Sequence, residues 1–351
     1  MKILLIYPQE LLSGSIVSRK IKCILEDHDV DLYGVSSPLD SLKKALFGEK
    51  YDVVIATCSS RNITVAPYFL FSKADQKIFF PYDISHFCKI PGDPIYRLKC
   101  NIGLLLEKLM FLKSDKIIHK GLSNELEYLP FYDSKIKNKS EYLFREFLNN
   151  NLIQEYNPDI KLSKKDGEIH LVYVGGLFLE DVIMYESFYT FYPKITNQKI
   201  HLHIYSKISR ETLDRFKEIE KEDMYFHYEG ALSHDELIKE ITKYDYGIQL
   251  FGNDKNIPYN LSAKLAFSNK LYDYCCANLP IIANTELEAV YEFVNNNNED
   301  LGVSLKYTEL SKLSNKLKYI EDNGLYEVYV QNINTLFKKI NVNSLIEFIT
   351  E

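Results

Sequence analysis

Within the stretch NKLYDYCCANLPIIAN at 269–284, Asn269, Lys270 and Asp273 put an amide, an ammonium and a carboxylate into about one helical turn. If a helix runs from about 263 to 277, Lys270 and Asp273 are three residues apart and share a face. A cation and an acid so placed suit a nucleoside diphosphate, the ammonium on phosphate and the carboxylate accepting from ribose hydroxyls. The same pair also makes an ordinary i,i+3 salt bridge worth about a few tenths of a kcal/mol. Cys275 and Cys276 then form the packing side, where free cysteine behaves as a small hydrophobe.

A second group of candidates sits where apolar runs end. Gly175 and Gly176 close the run IHLVYV; paired glycines let backbone N–H groups approach a phosphate, and they equally make a tight turn. Lys207 follows HLHIY and offers a further cation. In the first half, FFPYDISHF places Asp83 and His86 just after a strand, an acid and an imidazole able to serve as a base toward a hydroxyl; a turn aspartate and a packed histidine read the same way. Glu10, Gly14 and the run Ser59, Ser60, Arg61 are neighbours by the same strand-end logic. Asp29 and Asp31 spell DxD, but they alternate in a strand near the start with no second carboxylate cluster, so we expect no metal there.

These residues need elements to hold them. KILLIY, DVVIAT, IHLVYV and HLHIY are short apolar runs of the kind that form parallel strands buried on both faces. Strands are read at 2–7, 29–35, 52–57, 77–80, 116–119, 169–174, 201–205, 224–228, 246–251, 280–283 and 302–305. Helices alternate with them near 16–26, 38–48, 64–73, 94–113, 122–129, 181–190, 208–220, 233–243, 261–277 and 286–294. The alternation implies α/β sheets of parallel strands. The rhythm breaks in polar 131–167, and at 351 residues two domains are the expectation. We read an N-terminal domain at 1–140, a linker at 141–167, a second domain at 168–320 and C-terminal helices at 321–351 that cross back to the first. Ligands in such sheets sit beyond the carboxyl ends of the strands.

The order HLVYVGGL, IHLHIYS, YFHYEGALSHDELIKEITKYDYGIQLF, NKLYDYCCANLPIIAN and GVSL resembles the nucleotide-sugar domain of GT-B glycosyltransferases, most of all family four. It covers roughly 169–305; the first half is similar by architecture. The resemblance implies two Rossmann-like domains facing a central cleft and a sugar transferred from a UDP- or GDP-sugar to a glycan or lipid-linked acceptor. It implies ribose binding by Asp273, diphosphate contact by Lys270 with Asn269 beside it, and phosphate approach at Gly175 and Gly176. Asp83 and His86 inherit an acceptor-side catalytic place by position. Two departures stand out. The family's basic residues after the first glycine are replaced by Gly176 and Glu180-Asp181, for which Lys207 is the candidate substitute. The first acid of its two-glutamate motif is Leu265. Retention is the outcome the resemblance implies; an inverting enzyme with Asp83 as base and a non-catalytic sugar-nucleotide sensor are the alternatives.

Net charge of −7 argues against a general nucleic-acid binder. Residues 1–160 hold 21 Lys and Arg against 20 Asp and Glu; subtracting from totals of 42 and 49 leaves 21 against 29 for 161–351. The mildly basic first half, with Lys89, Arg97, Lys99, Lys108, Lys113, Lys116 and Lys120 within 89–120, suits an anionic membrane face, and a solvated helix face reads the same way. Six cysteines without CxxC or metal-ligand spacing fit a reducing cytosol. No signal peptide and no run of about 20 apolar residues is read, so the expected location is cytoplasmic, at most peripheral to the membrane. No cofactor and no metal are expected.

Overall fold

The computed structural model describes residues 1–9, 12–58, 62–88, 94–143, 152–177, 179–180, 186–250, 261–295, 299–340 and 342–351. The chain forms two compact units: Met1–Phe147 with Asn260–Ser262 and Asn341–Glu351, and Leu148–Tyr259 with Ala263–Ile340.

In the first unit the elements run β1 (Lys2–Pro8), α1 (Leu12–Ile24), β2 (Asp29–Val35), α2 (Pro38–Phe47), β3 (Val53–Cys58), α3 (Asn62–Phe71), β4 (Gln76–Pro81), α4 (Pro94–Lys113), β5 (Lys116–His119), α5 (Ser134–Asn138) and β6 (Ser140–Tyr142). The strands pair in parallel in the order β2-β1-β3-β4-β5-β6. Every residue of β3 is buried, which is why its sequence is a continuous apolar run rather than an alternating one. The sheet reverses direction between β1 and β3, and the loops beyond their carboxyl ends carry Glu10 and Ser59, Ser60 and Arg61, which lie outside the described residues.

The second unit runs α6 (Ser163–Asp166), β7 (His170–Val174), α7 (Phe188–Phe191), α8 (Pro193–Thr196), β8 (His201–Tyr205), α9 (Arg210–Glu222), β9 (Phe226–Gly230), α10 (His234–Ile241), β10 (Tyr246–Gln249), α11 (Leu261–Leu265), α12 (Lys270–Cys276), β11 (Ile281–Asn284), α13 (Glu288–Val294), β12 (Gly302–Leu305), α14 (Leu313–Asp322) and α15 (Leu325–Lys339). Its sheet, again parallel, has the order β12-β11-β10-β7-β8-β9. The reversal here falls between β7 and β10, so the loop after β7, with Gly175 and Gly176, sits at the switch point where such sheets bind ligands. The last helix, α16 (Val342–Thr350), belongs to the first unit, where Lys116 Nζ donates to Phe348 O at 2.7 Å.

The elements differ from the sequence reading in several places. The single helix expected at 261–277 is two helices, broken over 266–269, because Ser268 and Asn269 favour turns and caps over helix interior. The stretch near 122–129 is a 3-10 turn, Glu125–Tyr128. β6 has no apolar run to announce it, since Ser140, Glu141 and Tyr142 pair only at the sheet edge. Of the helix read at 181–190 only Phe188–Phe191 is described as helical, residues 181–185 lying outside the described set. No helix among the described residues is long and apolar enough to cross a membrane.

The second sheet carries one tightly keyed joint. Tyr274 is fully buried, and its hydroxyl donates to Ile248 O at 3.0 Å while accepting from Val174 N at 3.3 Å. Its ring occupies the space a side chain at Gly247 would need: a Cβ there would lie 2.3 Å from Tyr274 Cγ. The phenol therefore ties α12 to β7 and β10 together.

Candidate active site

α12 begins at Lys270, with Asn269 as its cap residue. Asn269 works through its carbonyl, which accepts from Tyr272 N at 3.0 Å; its side chain caps nothing. The break at 266–269 thus moves Lys270 from mid-helix to a helix start, beside the carboxyl end of β7. Lys270 is buried at 9% exposure, and its Nζ stands 3.8 Å above the ring centre of Tyr173. Gly175 lies against the lysine stem: a Cβ at that position would be 3.7 Å from Lys270 Cε and 4.0 Å from Nζ. Gly175 needs to be glycine because its φ is +104°, whereas Gly176 has open space around it and an ordinary φ. Tyr173 Oη donates to Gly176 O at 2.5 Å, so the tyrosine braces the glycine turn and presents its ring face to the ammonium at once.

Burial pushes the Lys270 ammonium down to about 7, Asp273 pulling the other way. Asp273 is one turn along. Its Oδ1 is 2.9 Å from Nε2 of His234, the first residue of α10, whose side chain remains 41% exposed. Sequence reasoning gave His234 no role; the signal was its place at the start of a helix opened by the Ser233–Glu236 capping box, in the segment on which the resemblance rested. Lys207 is exposed, two residues beyond Tyr205, whose carbonyl accepts from Gly175 N at 2.9 Å. One end of this sheet therefore gathers Gly175, Gly176, Lys270 and Asp273, with His234 added and Lys207 on the adjoining segment.

In the first unit, Asp83 and His86 follow β4 as expected of strand-end residues, but their surroundings differ. His86 Nδ1 is 2.5 Å from Oε2 of Glu107 on α4, and that fully buried carboxylate also accepts from Ser85 N at 2.9 Å and His86 N at 3.1 Å. The loop is wrapped around one acid, and the imidazole is fixed with Nε2 as its remaining nitrogen. Phe131 packs edge-on against the ring, centroids 4.8 Å apart. Asp83 is exposed and has no such holder among the described residues. The protein around it raises its carboxyl pKa, with Lys120 opposing. Lys120 is itself buried, 3.3 Å over the Tyr82 ring, and burial lowers it to about 8. Glu107 was missed, although a single acid inside the apolar run GLLLEKLMF was its legible mark.

Residues 186–347 match the family model described as glucosyltransferase 3-like, C-terminal domain. Across the whole chain the fold is similar to that of Anabaena HepE in complex with UDP, with a TM-score of 0.61 and 12% identity over 99% of this chain and 98% of that one. A glycosyltransferase from Rickettsia africae also scores 0.61, at 15% identity over 99% and 97%. S. aureus TarM scores 0.53 at 11% identity, over 84% of this chain and 54% of that one. No curated protein matches the sequence. With that C-terminal domain carried on the fold of these structures, the chain is a glycosyltransferase of the GT-B fold.

Proposed function

We propose that the protein transfers a sugar from a UDP-sugar to a hydroxyl of a glycan or lipid-linked acceptor, with no metal at the diphosphate. The observation that carries this is Lys270: a buried ammonium lying on Gly175, at the switch-point end of the sheet, with Asp273 one turn along. Lys270 and the backbone N–H groups after Gly175, whose own N–H is held by Tyr205 O, would stabilise charge on the departing diphosphate, the work a metal does elsewhere. Asp273 would accept from the ribose. HepE in complex with UDP and with UDP-glucose supports uracil as the base. The test is a thermal-shift series with UDP-, GDP- and CMP-sugars, since binding to the native state raises stability by mass action. UDP-sugars alone should stabilise; no shift with any of them would end the reading.

Retention is the outcome we favour from the family resemblance. The inverting reading gains from His86, because an imidazole held by a buried carboxylate is the arrangement of a general base. The anomeric configuration of the product, read by NMR, decides between them.

The acceptor side is proposed to work at an anionic membrane surface. On α4, Ile95, Leu98, Ile102, Leu105 and Leu112 are exposed at helical spacing, between exposed Arg97, Lys99, Lys108 and Lys113. An apolar stripe flanked by cations is the pattern of a helix lying in a lipid interface.

A further inference from the structure

At the other end of the second sheet from Gly175, three adjacent strands begin with histidines on one face. His170 opens β7, His201 and His203 lie two apart at the start of β8, and His227 is the second residue of β9. The parallel register sets His170 opposite His201 and His203 opposite His227. The rings stack in pairs, His170 on His201 and His203 on His227, each with centroids 4.3 Å apart.

Each of three imidazoles gives one ring nitrogen to a carboxylate. His170 Nε2 is 3.0 Å from Asp166 Oδ2, His203 Nδ1 is 2.8 Å from Glu229 Oε1, and His201 Nε2 is 2.7 Å from Glu168 Oε2. An ionised carboxylate only accepts, so these nitrogens carry the ring proton and the opposite nitrogens are bare lone pairs. Two of them, His170 Nδ1 and His203 Nε2, face one another at 2.9 Å. With both carboxylates ionised there is no hydrogen to place between them, so the gap calls for a positive species. A ring nitrogen from each of His170, His201 and His203 lies within 4.8 Å of the others, and all three residues are buried. His227 adds a fourth imidazole, its Nε2 2.8 Å from His201 Nδ1.

We propose that His170, His201 and His203 bind one divalent transition-metal ion, which clamps the starts of β7 and β8. A histidine that donates its outer N–H to a carboxylate while offering the inner nitrogen is the outer-shell arrangement of metal-binding histidine. An all-imidazole donor set suits zinc, copper or nickel rather than magnesium or calcium. Zinc at about 2.0–2.1 Å from nitrogen in tetrahedral geometry needs its ligands about 3.3 Å apart, so the facing pair has to open by a few tenths of an ångström; His201, whose ring lies parallel to that of His170 and whose Nδ1 faces His227, has to turn toward them. Burial of the three histidines, at the opposite end of the sheet from Gly175 and Lys270, makes this a structural centre separate from the chemistry there.

The experiment uses the full chain without a histidine tag, stripped with EDTA, dialysed and titrated with Zn²⁺ alone. The expected result is about one zinc per chain, with a rise in melting temperature that EDTA reverses. His203→Gln and His170→Gln should each lose that stoichiometric zinc, and Glu229→Gln should weaken it by about 10- to 100-fold. His28→Gln, in the first unit, should keep it. Should the histidine variants misfold, Co²⁺ added to the parent protein must still give the absorption spectrum of an imidazole-ligated ion. Zinc left unbound by the parent protein, as it would be if a shared proton fills the gap between His170 and His203, overturns the proposal; so does zinc binding that folded His203→Gln leaves unchanged.

Discussion

Asp273 Oδ1 and His234 Nε2 are 2.9 Å apart, joining the first turn of α12 to the first residue of α10. One carboxylate oxygen is thus already engaged, leaving Oδ2 for a ribose. Asp273→Asn is expected to weaken UDP binding by about 1.5–3 kcal/mol, the range for a hydrogen bond to a charged group. His234→Ala, which removes only the neighbour that orients the acid, should cost about threefold or less. Calorimetric titration with UDP measures both; equal losses in the two variants would make His234 a ligand contact in its own right.

Lys270 sets a pH dependence. With no nucleotide bound, burial holds the Lys270 ammonium near 7, below its unfolded value, so above that pH the side chain is partly neutral. A diphosphate brings negative charge and restores the proton, so nucleotide binding takes one up and affinity falls as pH rises through about 7. The same depression means the unfolded chain holds more protons between about 7 and 10.5, so this residue's contribution to stability rises with pH across that window. Calorimetry at about pH 8 in two buffers of different ionisation heat should show proton uptake. Identical heats, together with flat affinity, would detach Lys270 from the phosphates.

His86 and Glu107 should behave as a pair. His86→Ala is expected to lower kcat by about 10²- to 10⁴-fold if His86 is the base, with UDP affinity little changed. Glu107→Gln should follow it in the same direction, and the two losses should not add, because the carboxylate acts through the imidazole. Asp83→Asn should cost less than either. A double variant that loses the sum of both single effects would show two independent roles.

Magnesium and manganese should not change the transfer rate. After chelation and dialysis, re-addition of zinc alone restores whatever stability the histidine cluster loses, and adding Mg²⁺ or Mn²⁺ afterwards leaves turnover where it was. A rate that climbs with either ion would reopen a metal at the diphosphate and the acids Asp29 and Asp31.

Membrane docking through α4 is checked by flotation with vesicles rich in anionic lipid. The protein should float with them, and less at high salt, each basic residue near the surface contributing about 1 kcal/mol. Leu98→Glu with Ile102→Glu should abolish flotation without lowering the melting temperature, since both side chains are exposed. Flotation unaffected by the double change would move the contact away from this helix.

Much of the fold is written in local sequence. The strands Asp29–Val35, Lys116–His119, His201–Tyr205 and Gly302–Leu305 and the helix Pro94–Lys113 have the bounds read from the sequence. The glycine turn and the Lys270–Asp273 pair were legible because they lie on one strand end and one helical turn. What could not be read depends on register between distant segments. His234 meets Asp273 across 39 residues, and Glu107 reaches His86 across 21. The expectation of no metal-ligand cluster came from spacing along the chain, and spacing says nothing about β7 aligning His170 with His201. Ser268 and Asn269 were visible as helix breakers, yet the apolar pattern on both sides hid the break.

Tyr274, plugged over Gly247, has a consequence for how the enzyme can change over generations. Any residue larger than glycine at 247 displaces the ring, and a smaller one at 274 leaves a void beside an unfilled slot. The two positions can be exchanged only together, so the rotation of α12, and with it the bearing of Lys270 and Asp273, is inherited as one unit. New donor preferences must therefore arise in the surrounding loops, and a mutant library that randomises either position alone will consist mostly of unfolded chains.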